Sequence, residues 1–400
     1  MALKQGYRGY ESYQYLEKGK DYKHFKLARE VNRVKPYIVA LSEEEEEKFR
    51  EFVRANVIIS LHDHPTITPE NVNELMEYER EGRECTAYKG LANSIMDAVF
   101  DNMMDGTCVI NSKAGWKWMD VIHDIGMRCC DIAHQDFLIK GQGIEDIYKA
   151  KKEGRIAWFM AVESLTMIEN EIDRIDILYG LGVRMMGVTY SESNSLGSGL
   201  KEEGDGGLTS LGKKAVERMN KLGVAIDVSH SSDKTSLDVI RLSKKPVFIT
   251  HTGARKLWNM KRLKPDNVLI ECAERGGVIG IEAAPHTTIT RKNPRHNLES
   301  FMEHFEYIKD LVGIDHVAFG VDALYGDHVG LHNMFSSNMS IAENTKGEEF
   351  ESVTHVEGLE NPTEAMENIV RWLIKHGYSH EDIKKVMGDN ILRVLKEVWV

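Results

Sequence analysis

The chain has 400 residues, 42% hydrophobic and 28% charged, with 8 prolines spread thinly, enough apolar material for one large domain with an added arm. A formal net charge of -12 and the absence of a basic stripe exclude a nucleic-acid partner, which needs cations to neutralise phosphates. No run approaches the roughly 18 apolar residues of a membrane span, and the polar, aromatic residues 1–25 lack the apolar segment of a secretory signal, so a cytoplasmic protein with no membrane partner is expected.

Residues 1–56 read as an N-terminal extension packing on the main domain. A tyrosine-rich basic segment leads to Ser42 and the glutamates of 43–47, where Ser42 caps a helix, Glu45 completes a capping box and the acids suit the helix dipole. From 57 to 400, short β-branched runs alternate with amphipathic stretches, the pattern of parallel strands joined by helices. The expected strands are 57–62, 107–111, 156–163, 183–190, 224–230, 246–251, 277–282 and 316–322. Residues 209–222, 232–242 and 298–311 carry apolar side chains at helical spacing, and 364–398 reads as two helices with Pro362 ahead and Gly377 and Tyr378 between them. No glycine-rich phosphate loop follows the first strand, so the reading is α/β, a (β/α)8 TIM barrel with an N-terminal extension and C-terminal helices, rather than an open doubly wound sheet.

The 5 cysteines are odd in number, lack C-x-x-C spacing and read as reduced thiols, leaving any metal to carboxylates and the 16 histidines. Nearly every expected strand ends in such a group: His62-Asp63-His64, Glu163, His230, His251 and Asp322. In a barrel these ends share one face, where active sites sit. His62 and His64 are two apart, point the same way on an extended strand end and are suited to share one ion, while Glu163 is able to bridge two ions and His230 and His251 to hold the second. Two divalent ions about 3.5–4 Å apart clamp a hydroxide and polarise the carbonyl it attacks, which is hydrolysis chemistry. Asp322 is suited to take and pass the proton of that water. Singly, each residue has a plain alternative as a core histidine, helix cap or salt-bridge partner; their joint placement favours chemistry.

The stretch Gly207-Leu-Thr-Ser-Leu-Gly212, then Ile226-Asp-Val-Ser-His230, Pro246-Val-Phe-Ile-Thr-His251 and Arg262, with Ala161-Val-Glu163 and His316-Val-Ala-Phe-Gly-Val-Asp322, resembles the renal (membrane) dipeptidase family of amidohydrolase-like metal-dependent hydrolases. The resemblance spans roughly residues 57–392. It implies two divalent ions, zinc foremost with manganese, cobalt or iron as alternatives, one held by His62, His64 and Glu163 and the other by Glu163, His230 and His251. It also implies that Asp322 handles the attacking water, that Arg262 pairs with the carboxylate of a small-molecule substrate, and that the protein is a homodimer or higher homo-oligomer.

Two departures stand out. His64 replaces the family's usual aspartate, which makes the first site one charge less negative, and Tyr190 replaces a histidine that contacts the substrate carbonyl, with Asn194 at the place of a nearby asparagine. A tyrosine hydroxyl is still able to donate to an oxyanion. His286 is expected to line the pocket, whereas His328 and His332, on a loop after the last strand, carry no assigned ligand role. The expected activity is hydrolysis of the amide bond of a dipeptide or dipeptide-like molecule. The alternatives are a specialised amidase or deacylase acting on a non-peptide carboxylate, and an inactive barrel used as a binding or assembly module.

Overall fold

In the computed structural model, which describes residues 4–103, 117–338 and 349–399, eight parallel strands follow one another around a ring in chain order. They are β1 (Ile59–Asp63), β2 (Ala98–Asn102), β3 (Ile156–Val162), β4 (Val183–Gly187), β5 (Ala225–Asp227), β6 (Phe248–Thr252), β7 (Val278–Ile281) and β8 (Val317–Phe319). Every strand residue is buried, as expected where helices cover the outer face. Alternation does the sorting: Ile59, Leu61, Phe100, Phe159 and Ala318 turn into the lumen, while Val99, Trp158, Met160, Val317 and Phe319 turn toward the helices. Beyond β8, Asp322 N donates to His62 O at 3.0 Å and His64 N to Ala323 O at 2.9 Å, joining the last strand's exit to the first and completing the (β/α)8 barrel.

Helices Asp173–Leu181, Ser210–Leu222, Asp233–Leu242, Asp266–Glu274 and Leu298–Val312 fill the connections from β3 onward. Thr209 and Ser232 cap the second and third of these through their side chains. At the opposite end from the functional loops, helix Asn390–Val398 and Trp399 pack beneath the lumen, with the Trp399 ring 5.0 Å from Phe159 and Arg393 donating to Gly276 O just ahead of β7. The barrel is thus filled below and open above. No helix among the described residues is long and apolar enough to cross a membrane.

Three expectations need comment. The second strand expected at 107–111 lies outside the described residues, and the barrel's second strand is Ala98–Asn102. Its polar end hides it from pattern reading, because pairing on both sides (Ile59 with Ala98, Ala98 with Ala157) and not intrinsic preference makes it a strand. Strands β4, β5 and β8 also stop short of the expected ends, releasing Tyr190, His230 and Asp322 into loops. Finally, the last expected helix is interrupted by a π-helical turn, Lys385–Asp389, where Gly388 presses on the carbonyl of Val57 at the entry to β1.

Residues 4–56 run alongside this barrel and contact it at several points. Helix Glu43–Ala55 begins with the Ser42–Glu45 capping box, buries Phe49 and Phe52, and is tied to helix Pro362–Lys375 by Glu46 and Arg371 at 2.6 Å. Ahead of it, the fully buried carboxylate of Asp131 gathers the hydroxyls of Tyr10 (2.8 Å), Ser12 (2.6 Å) and Tyr88 (3.0 Å) and the backbone N–H of Tyr13 (2.8 Å). Removing it takes the carboxylate acceptor from four buried donors, of which Tyr10 keeps only the Asp131 backbone carbonyl at 3.4 Å, so Asp131→Ala is expected to lose about 3 kcal/mol or more of stability, read as a lower urea midpoint. An unchanged midpoint would show that the arm does not depend on this carboxylate.

Candidate metal centre

The open end of the barrel collects imidazoles and carboxylates from six strands. Glu163, at the exit of β3, divides its two oxygens: Oε1 lies 3.6 Å from His62 Nε2 and 3.5 Å from His64 Nε2, and Oε2 lies 3.0 Å from His230 Nε2 and 4.0 Å from His251 Nε2. Asp322 reaches in from β8, its Oδ1 3.4 Å from His62 Nε2 and 3.2 Å from His64 Nε2, its Oδ2 3.9 Å from His251 Nε2. Among the described residues, His62/His64/Asp322 and Glu163/His230/His251 are two of the groups whose ligand atoms all lie within 4.8 Å of one another. The five ligand candidates and Asp322 therefore meet in one place.

Their orientation is fixed from behind. Thr250 Oγ1 donates to Asp227 Oδ2 at 2.8 Å, which leaves its lone pairs facing His251 Nδ1 at 2.8 Å and His62 Nδ1 at 3.3 Å. With its Nδ1 donating to Thr250, His251 presents the bare lone pair of its Nε2 to the site. Asp227 is itself held by Ser229 Oγ at 2.6 Å and Thr250 N at 2.9 Å. The Asn102 side-chain nitrogen stands 2.8 Å from His62 Nδ1, and the Asn102 backbone carbonyl 3.1 Å from His64 Nδ1. Gly187 is required at the end of β4 because a Cβ there would collide with the carbonyl of Glu163. Asp322 takes a left-handed backbone, φ 57°, which aims its carboxylate back over the mouth.

The electrostatics fit a cation. Burial holds His62 below the ordinary imidazole range and His230 and His251 well below it, so all three are neutral, as ligands must be. Burial pushes the Glu163 carboxyl up to about 8. For Asp322 burial acts upward too, but His251, His62 and His64 outweigh it and hold the carboxyl well below its usual value. The Nε2 of His62 is buried with no hydrogen-bond partner, and those of His230 and His251 face each other at 3.0 Å. Carboxylates that ionise at a cost beside bare imidazole lone pairs are a donor set completed by divalent ions.

The remaining expected site residues are placed as follows. Tyr190 stacks on the His230 ring, centroids 4.1 Å apart, and burial holds its phenol well above the ordinary range, hence protonated. Arg262 sits beside the site, donating to His251 O at 3.2 Å and ion-paired with the fully buried Glu282. Asn194 braces its own loop, donating to Val188 O at 2.9 Å and accepting from Leu196 N at 2.8 Å. His286 accepts from Val353 N at 3.1 Å and packs on Phe350, and His328 and His332 lie edge to face, centroids 4.7 Å apart. Asp227, Thr250, Asn102 and Glu282 escaped the sequence reading. A carboxylate inside an otherwise apolar strand, as at Asp227, was the available signal.

A parallel barrel with this cluster at its C-terminal mouth is an amidohydrolase-like architecture. The chain belongs to the membrane dipeptidase family (peptidase family M19), whose sequence profile matches residues 47–337 and 346–399. It is 28% identical over 258 residues to dipeptidase tcpJ of Claviceps purpurea, covering 64% of this chain and 54% of that one. It is also 28% identical over 290 residues to dipeptidase verJ of Clonostachys rogersoniana, covering 72% and 65%. The chain thus spans under two thirds of these curated relatives. Among solved structures it is similar to an amidohydrolase from Pseudomonas aeruginosa, with 25% identity and a TM-score of 0.71 over 88% of this chain and 99% of the other.

The Asp227–Thr250 support yields a direct expectation. Thr250→Val keeps the volume and removes the acceptor for the His251 Nδ1 proton, so metal affinity, measured by chelator competition, is expected to fall about 10–100-fold with the circular dichroism spectrum unchanged. Unaltered affinity would mean that Thr250 does not set the His251 imidazole.

Proposed function

We propose that the protein is a metal-dependent hydrolase that cleaves the amide bond of a dipeptide or dipeptide-like small molecule. The observation that carries this reading is the division of Glu163 between two histidine pairs, His62 with His64 and His230 with His251. Those five residues would hold two divalent ions, zinc foremost, and the ions would supply an activated water and a Lewis acid for the carbonyl. The names of the two fungal relatives, both dipeptidases, support the substrate class.

The chain's own groups supply the rest. Asp322, ionised and above the cluster, accepts the proton of the attacking water and returns it to the leaving amine. Tyr190, held protonated against His230, donates to the oxygen on which charge develops. Thr250 and Asp227 keep the His251 imidazole aimed throughout. A reducing, cytoplasmic setting suits the free thiols of Cys85, Cys129, Cys130 and Cys272.

Exhaustive chelation is expected to abolish dipeptide turnover, and zinc, manganese or cobalt to restore it. Full activity in metal-free protein would contradict the proposal. In the metal-loaded enzyme, Asp322→Asn is expected to lower kcat about 10²–10⁴-fold while the metal content measured by elemental analysis is unchanged. A kcat within a few-fold of the parent would remove Asp322 from the proton path.

A further inference from the structure

Arg262 is the one guanidinium at the cluster for which the family resemblance implies a partner, a substrate carboxylate. In this chain that partner is already present. Glu282, at the exit of β7 and fully buried, forms an ion pair with Arg262 Nη2, the same atom that lies 3.9 Å from Asp322 Oδ2. The other terminal nitrogen, Nη1, donates to His251 O at 3.2 Å. Glu282 is no bystander to the site: its carboxylate lies within 4.8 Å of the ligand atoms of His251 and Asp322. Its backbone is fixed by Glu282 N donating to Thr252 O at 3.0 Å and by Thr288 Oγ1 donating to Glu282 O at 2.7 Å.

A substrate carboxylate brought to Arg262 would be the third around one guanidinium, in a place with almost no solvent to screen it. Like charges so placed are disfavoured in recognition. A carboxamide meets no such penalty. The ion pair offers a donor, the Arg262 N–H, beside an acceptor, the Glu282 carboxylate, and an amide carries the complementary acceptor and donor side by side. Satisfying both buried partners is what lets a site reject an analogue that satisfies only one.

We infer that Glu282 is a specificity-determining residue, which pairs with Arg262 so that the site accepts substrates presenting a neutral carboxamide there and discriminates against those presenting a free carboxylate. The inference rests on the hydrolase reading above and narrows its substrate class.

The test compares zinc-loaded parent and Glu282→Gln proteins on L-alanyl-L-alanine and L-alanyl-L-alaninamide, with peptide-bond cleavage followed by chromatography. The parent is expected to favour the carboxamide in kcat/KM by about tenfold or more, and Glu282→Gln to shift that ratio toward the free acid by about tenfold or more. A merely structural role would depress both substrates alike and leave the ratio in place. Calorimetric titration with N-acetyl-L-alaninamide and N-acetyl-L-alanine reads the same preference without turnover. Cleavage with a parent preference for the free acid, or with a ratio unmoved by Glu282→Gln, overturns this inference and leaves the hydrolase reading standing. No cleavage of either dipeptide, with the calorimetric preference present and reversed in Glu282→Gln, overturns the dipeptide reading and supports the ligand preference. Equal calorimetric binding in both proteins overturns the preference.

Discussion

Everything at the open end of this barrel depends on one constraint: carboxyl groups and neutral imidazoles are crowded where little water reaches them. Glu163 is buried among four histidine Nε2 atoms, and its carboxyl is pushed up to about 8 by that burial. Such an arrangement is unfavourable by itself and favourable around cations, because the lone pairs and negative charge that repel one another become a coordination shell. The barrel tolerates it because the polar cluster rests on a lumen packed with Leu61, Phe100, Phe159 and Ala318 and closed beneath by Trp399.

The supporting residues show how far that constraint reaches. Asp227 and Thr250 lie behind the imidazoles, yet they decide which His251 nitrogen carries its proton. Gly187 leaves room for the Glu163 backbone, and Asp322 adopts φ 57° while its N–H bonds to His62 O, so that the seam between β8 and β1 and the aim of the Asp322 carboxylate are one piece of structure. The Arg262–Glu282 pair adds a second layer, in which the charge that would receive a substrate is already balanced from within the chain.

Much of this was legible in the sequence. Parallel strands buried on both faces leave continuous β-branched runs, so the strands ending near Glu163, His230, His251 and Asp322 announce themselves, and the closed topology then forces their ends together. Short strand β2 did not, because Asp101 and Asn102 break its apolar pattern and its identity comes from neighbours on either side. Thr250 was invisible for a different reason: a threonine in a strand is ordinary, and only the direction of its hydroxyl gives it a role. Glu282 satisfied the same strand-end rule that selected Glu163, but its pairing with Arg262 depends on a loop path that no spacing reveals. The π-helical turn at Lys385–Asp389 is likewise a consequence of Gly388 meeting Val57 across the floor.

The measurement that bears most directly on this account is a crystal structure of zinc-loaded protein with anomalous diffraction collected on either side of the zinc edge. The account requires two metal peaks, one bordered by His62, His64 and Glu163 and the other by Glu163, His230 and His251. A map with no peak among these side chains, or with metal bound only elsewhere on the molecule, would contradict it.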